Sequence, residues 1–209
     1  IRNYGTTLSR MTITFITVRM KCLLNMKISK INDKKENNME KVLVVVDMQN
    51  DFIDGSLGTK EAVGIVDNVV EKIKAFNGKI FATLDTHYDN YLTTSEGKKL
   101  PVEHCVRMTN GWLINSSVLK AMSGKNYKTI EKKTFGSIKL VNEICRLKRN
   151  GDVEVELLGL CTDICVVSNA LLLKANFPEM KISVDASCCA GVTTELHNAA
   201  LSTMKSCQI

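Results

Sequence analysis

At 209 residues with 44% hydrophobic side chains, the chain is long enough for one α/β domain with a sizeable core. It has no run of about 18 apolar residues, so no transmembrane span and no membrane partner is expected. The formal net charge of +6 looks like that of a nucleic-acid binder until it is located: residues 1–38 hold eight basic and two acidic side chains, so the 28 basic and 22 acidic residues of the chain leave 20 of each in residues 39–209, and no nucleic-acid partner is expected.

In chain order, residues 1–38 come first. The chain opens on Ile1, and Met39 directly precedes Glu40, Lys41 and the first apolar run. Residues 1–38 therefore read as an extension outside the functional domain, made of upstream sequence. A targeting presequence is the rival reading, because the segment is rich in Arg, Ser and Thr and poor in acid. The functional domain is then 39–209. At its far end Ser206-Cys207-Gln208-Ile209 closes a helical pattern without a capping signal, so the C-terminus reads as truncated.

The domain alternates strand and helix patterns. Val42 to Val46 is a continuous apolar run that ends at Asp47, and Ile80 to Leu84 ends at Asp85. Tyr127 to Glu131 ends at Lys132, and Val153 to Leu158 leads into Gly159-Leu160-Cys161-Thr162-Asp163-Ile164-Cys165. Lys181 to Val184 ends at Asp185. Runs of this kind predict strands buried on both faces, as in a parallel sheet. Helical spacing of apolar residues marks Ala62 to Phe76, Ile138 to Leu147, Ile164 to Ala175 (with Thr162 or Asp163 as N-cap) and about Thr194 to Cys207. The fold expected is α/β, three layers, with a doubly wound, mainly parallel sheet and right-handed crossovers. Thr86 to Trp112 is the longest irregular piece, and a loop of that length in a compact domain is usually functional. The oligomeric state stays open, and a homo-oligomer is compatible with the chain.

In such a sheet the ligand crevice lies beyond the carboxyl ends of the strands. Asp47, Asp85, Lys132 and Cys165 all follow strands there, a combination that points to nucleophilic catalysis. Cys165 begins a helix, whose dipole and free amides favour thiolate and can hold an oxyanion. A buried structural cysteine is the plainer reading. Cys161 and Cys165 are also spaced as a metal or redox pair, but no further Cys/His pair accompanies them. Asp47 suits a general base or a turn residue, and Lys132 a catalytic or a surface lysine. Asp85 and His87, two apart on extended chain, point the same way. With His104 they suit one Zn, Fe or Mn ion, or else cap a turn beside two solvated histidines. The eight cysteines (Cys22, Cys105, Cys145, Cys161, Cys165, Cys188, Cys189, Cys207) match no secreted disulfide framework, so reduced thiols in the cytoplasm are expected.

Asp47-Met48-Gln49-Asn50-Asp51-Phe52, then Lys132 to Phe135, then Gly159-x-x-Thr162-Asp163-x-Cys165, resemble the cysteine hydrolases of the isochorismatase-like superfamily over about residues 40–209. Asp85-x-His87, Pro101-x-x-His104-Cys105 and Thr109-x-Gly111 resemble its nicotinamidase branch. The resemblance implies a metal-containing amidohydrolase that converts nicotinamide to nicotinate and ammonia through a cysteine thioester, in NAD salvage. It implies a catalytic triad of Asp47, Lys132 and Cys165, and an oxyanion hole from the amides of Cys161 and Cys165. It implies one divalent ion, zinc first and iron or manganese next, on Asp85, His87 and His104. It also implies a cis peptide at Leu160-Cys161 and substrate contacts at Phe52 and Leu160. Other small carbamoyl, ureido or isochorismatase-like substrates, or a catalytically silent binding protein of the same fold, are the alternatives. The chain departs from the branch at Pro101, where an aromatic is common, and lacks a His soon after Asp-x-His, near Asp89, Asn90 or Tyr91.

Overall fold

Five strands, β1 (Glu40–Val46), β2 (Lys79–Asp85), β3 (Tyr127–Lys132), β4 (Val153–Leu160) and β5 (Ile182–Ala190), make one sheet in the order β3-β2-β1-β4-β5 in a computed structural model that describes residues 39–209. The reading of residues 1–38 lies outside the described residues. Every strand pair is parallel. The expected doubly wound α/β sheet is observed. Its central strands are buried because both faces are covered: Leu43, Val44, Val45, Leu157 and Leu158 are almost wholly shielded from solvent.

The helices are α1 (Asn50–Ile53), α2 (Lys60–Gly64), α3 (Val66–Ala75), α4 (Ser116–Met122), α5 (Ile138–Lys148), α6 (Val167–Asn176) and α7 (Thr194–Ser206). Helices α3 and α4 pack together, while α6 packs on both α5 and α7. Leu140, Val141 and Ile144 give α5 a buried stripe, and Val69 and Ile73 do the same for α3. Among the described residues no helix is long and apolar enough to cross a membrane.

Four local readings need correction. The single helix expected over Ala62 to Phe76 is two: α2, capped by the Thr59 hydroxyl, ends at Gly64, and Ile65 joins it to α3. Glycine is a weak helix residue, and here it marks the break. The strand expected to stop at Val184 continues to Ala190, because an irregular register opposite Leu157 and Gly159 absorbs the polar stretch around Asp185. Helix α4 was hidden by its shortness, although Asn115 accepts a hydrogen bond from Ser117 N as its N-cap. Finally, α7 does have a cap: Gln208 adopts φ 65°, with Gln208 N–H donating to Lys205 O and Ile209 N–H to Met204 O. This is the Schellman pattern with glutamine where glycine is usual, so composition did not announce it.

The order in which the chain adds strands reverses between β1 and β4. Gly159 sits there with φ 115°, and a side chain at this position would collide with the carbonyl of Val46. Only glycine lets β4 approach β1 so closely just before the Cys165 turn.

Candidate active site

The carboxyl ends of β1, β2 and β3 bring Asp47, Asp85 and Lys132 together. Strand register sets Asp85 directly beside Lys132, and Val46 beside both Thr83 and Gly159. Lys132 Nζ lies 2.6 Å from Asp47 Oδ2 and 3.3 Å from Asp85 Oδ1, and donates to Cys165 Sγ at 3.3 Å. Asp47, Lys132 and Cys165, read from sequence as the reactive set, are thus mutual neighbours and all are buried.

Asp47 turns off the strand with φ 47°, a left-handed conformation that aspartate tolerates better than most residues. The Thr83 hydroxyl donates to its Oδ1 at 2.6 Å. Its Oδ2 forms a close ion pair with Lys132 Nζ without a well-directed hydrogen bond. Burial pushes the Asp47 carboxyl above its ordinary range, opposed by the Lys132 charge. For Lys132, burial disfavours the ammonium, but Asp47, Cys165 and Asp85 outweigh it and keep the group charged. Burial and the Asp47 charge hold the Cys165 thiol well above its usual range, against the pull of Lys132. The thiolate preference expected from a helix start is opposed here by desolvation.

The turn carrying Cys165 is one wide turn of π-helix, Thr162–Val166, with Cys161 as its N-cap, so Thr162 and Asp163 lie inside it. The Leu160–Cys161 peptide is cis. The Cys161 thiol is also pushed up, to about 12, by burial and Asp163. Titration does not separate the two thiols, but geometry does, because Cys165 is the one Lys132 touches. Asn169, in the first turn of α6 and fully buried, donates to Cys165 O at 2.8 Å and to Phe135 O at 3.1 Å, and accepts from Ser137 N at 2.9 Å. It ties the segment after Lys132 to the nucleophile's helix.

Asp85 is held by a residue the sequence reading passed over. The side chain of Gln49 accepts from Asp85 N at 2.7 Å and donates to Asp85 O at 2.9 Å and Trp112 O at 2.8 Å. His87 Nε2 lies 2.8 Å from Asp85 Oδ2, and His104 Nε2 lies 3.7 Å from the same atom. His104 Nδ1 bonds to Val102 O at 2.8 Å, which leaves Nε2 facing the cluster. Glu96 Oε1 completes it, 3.8 Å from His87 Nε2 and 3.9 Å from His104 Nε2. One ligand atom from each of Asp85, His87, Glu96 and His104 lies within 4.8 Å of the others. The sequence reading missed Glu96. It looked for a fourth ligand near Asp89, Asn90 or Tyr91, but Tyr91 packs its ring on both histidines and gives its hydroxyl to Leu100 O. An acid in mid-loop has no spacing signature, and only the loop's path brings it back. The loop is anchored by Asp51, whose Oδ2 accepts from Cys105 N at 2.7 Å, next to His104.

Two imidazoles and two carboxylates converging on one point fit a divalent ion. His87 Nε2 supports that fit: it is buried, and despite its closeness to Asp85 it makes no well-directed hydrogen bond.

A cavity of about 610 Å³ opens over this edge. Cys165, Cys161, Asp85, Glu96 and His104 line its polar end, and Phe52, Leu57, Leu100, Phe135, Ile164 and Val192 its apolar walls. Phe52 lines this cavity, its ring 5.5 Å from that of His104. Leu160 does not: it is fully buried and lines no part of the cavity, because the strand alternation turns it into the core. A second depression, about 470 Å³, lies at the opposite edge between Lys72, Phe76 and Glu156. It is remote from the strand carboxyl ends and lined by lysines already paired with acids.

A doubly wound parallel sheet with Asp, Lys and Cys in contact at its switch point defines an α/β protein with a thiol-centred site. The chain belongs to the isochorismatase domain family, which its residues 41–209 match. It is 27% identical over 183 residues to the nicotinamidase/pyrazinamidase of Mycobacterium tuberculosis, covering 81% of this chain and 96% of that one. It is similar to the crystal structure of the nicotinamidase PncA from Bacillus subtilis, at 28% identity and a TM-score of 0.68 over 80% of this chain and 95% of that one. The pyrazinamidase of Pyrococcus horikoshii, in complex with zinc, is similar at 26% identity and a TM-score of 0.67 over 80% and 96%.

Proposed function

We propose that the protein is an amidohydrolase that converts nicotinamide and water to nicotinate and ammonia. The observation that carries this is the buried Asp47–Lys132–Cys165 contact set beside a four-residue donor cluster in one cavity. The relatives named above, nicotinamidases and pyrazinamidases, support the choice of amide.

In this reading Cys165 Sγ attacks the carboxamide carbon as its proton passes to Asp47, whose buried carboxyl and raised proton affinity suit the transfer. Lys132 stays charged throughout and stabilises the thiolate as it forms. The amides of Cys161 and Cys165 hold the tetrahedral oxyanion. Asp47 returns the proton to nitrogen and ammonia leaves, with Cys165 bound as a thioester. Asp47 then draws a proton from water, which attacks the thioester and releases nicotinate and the thiol. Phe52 forms a wall for the ring. Asp85, His87, Glu96 and His104 would hold a divalent ion, zinc by preference for a donor set of this kind, which supplies a Lewis-acidic seat that orients the pyridine nitrogen. With this reading go a role in NAD salvage and a reducing, cytoplasmic setting, to which the free cysteines among the described residues are suited.

The test is ammonia release from nicotinamide by the purified chain, before and after chelation, with Cys165→Ala and Cys161→Ala alongside. The reading expects loss of turnover in Cys165→Ala and substantial activity in Cys161→Ala, which keeps the backbone amide. Robust hydrolysis by Cys165→Ala would sink the mechanism. Full activity without metal would favour a carbamoyl or ureido substrate.

A further inference from the structure

We infer that His197, the histidine outside the donor cluster, is a positioning residue that fixes the Cys161–Cys165 turn through Thr162. The inference rests on the hydrolase reading above and adds a residue to it.

Thr162 is fully buried, and its hydroxyl makes a 2.8 Å hydrogen bond with Nδ1 of His197, which projects from the first turn of α7. The next residue repeats the tie: Asp163 Oδ1 accepts from Val192 N at 3.0 Å. Gly191 closes the gap between them, since a side chain there would lie 2.8 Å from Asp163 Oδ1 and 2.9 Å from His197 N. Two successive residues of the turn are therefore held by the entry to α7, and Val192, in the same connection, lines the cavity.

Thr162 follows Cys161, whose amide is one of the two assigned to the oxyanion. The Thr162 side chain has no other hydrogen bond, so without His197 a buried hydroxyl loses its partner and the turn can shift about the one tie that remains, at Asp163. Such a shift moves the Cys161 amide relative to Cys165 while leaving Lys132 and Asp47 in place. A displacement of about 1 Å in a reacting site is enough to lower turnover about 100-fold.

The experiment compares kcat, KM and the rate of Cys165 alkylation by iodoacetamide in the full chain and in His197→Ala, His197→Asn, Thr162→Val and Thr162→Ser. His197→Ala and Thr162→Val are expected to lower kcat about 10- to 100-fold, with KM changed less than about threefold and alkylation at the wild-type rate. His197→Asn, which offers a polar atom near the Nδ1 position, and Thr162→Ser are expected to restore most of kcat. The double variant His197→Ala/Thr162→Val is expected to be no worse than either single change. Unchanged kcat in His197→Ala overturns the inference. So does a loss that alkylation and thermal midpoint follow in parallel and that Asn does not rescue, since that is the signature of general unfolding. Wild-type turnover of nicotinamide reports on the substrate alone, and the contrast among variants is read on whichever carboxamide the wild type hydrolyses.

Discussion

At the scale of single residues, the site is governed by one buried cation serving three partners. Removing Lys132 leaves Asp47 charged in a wholly buried place. Lys132→Met is expected to lose about 3–5 kcal/mol of stability together with activity, measured by chemical denaturation beside turnover. Asp47→Asn is the contrasting change, because Lys132 still has Asp85 at 3.3 Å. Its kcat should fall about 10²- to 10⁴-fold with a far smaller stability loss. Equal destabilisation of the two variants would show that the pair is structural and not catalytic. Glu96 is the residue whose role is decided by metal content. Glu96→Gln should weaken retention of zinc by more than about tenfold in a chelator competition, since even outer partners of a metal contribute about that much. His87→Ala should retain none by elemental analysis. Stoichiometric metal in His87→Ala would remove the cluster from consideration as a metal site.

At the scale of elements, the edge opposite the site is clamped by Lys72 on α3, which reaches Glu156 on β4 and Asp185 on β5, each at 2.8 Å. Burial pushes the Asp185 carboxyl up, but the hydrogen bonds from Lys72 and Ser187 outweigh it and hold the group below its ordinary range. Burial likewise opposes the Lys72 ammonium, and its two acidic partners outweigh that and raise it. A lowered carboxylate adds stability above its unfolded value, about pH 4, which is lost as pH falls through the folded value. A raised lysine adds stability below its unfolded value, about pH 10, which is lost as pH rises further. The clamp therefore acts between about pH 4 and pH 10. Lys72→Met should lose about 1 kcal/mol at neutral pH, as partly exposed pairs do, and the difference from wild type should shrink below about pH 4. A constant difference from pH 3 to pH 7 would mean that the lysine stem, not its charge, holds α3 to the sheet.

At the scale of the molecule, every residue assigned to the site lies between Asp47 and His197, and the matched family domain spans 41–209. Residues 1–38 carry the whole excess of positive charge and none of the residues assigned to the site. A protein of residues 39–209 is expected to keep the specific activity and the thermal midpoint of the full chain within error. A large fall in either would show that residues 1–38 support the domain.

The sequence by itself determined the sheet and its reactive edge. Apolar runs long enough for strands buried on both faces, each followed by one chemistry-bearing residue, brought Asp47, Asp85, Lys132 and Cys165 to one crevice, because a parallel sheet has one carboxyl edge. His87 was legible for the same reason, lying two residues beyond a strand end. Glu96, Gln49, Asn169 and the Thr162–His197 bond were decided by tertiary structure alone. Each depends on where a loop returns or on which turn of a helix faces a neighbour, and neither leaves a periodic trace. The protonation of the site was likewise beyond the sequence. A helix start favours thiolate, but the burial of Cys165 beside Asp47 pushes its thiol the other way, and the depth of a group is a property of the packed molecule.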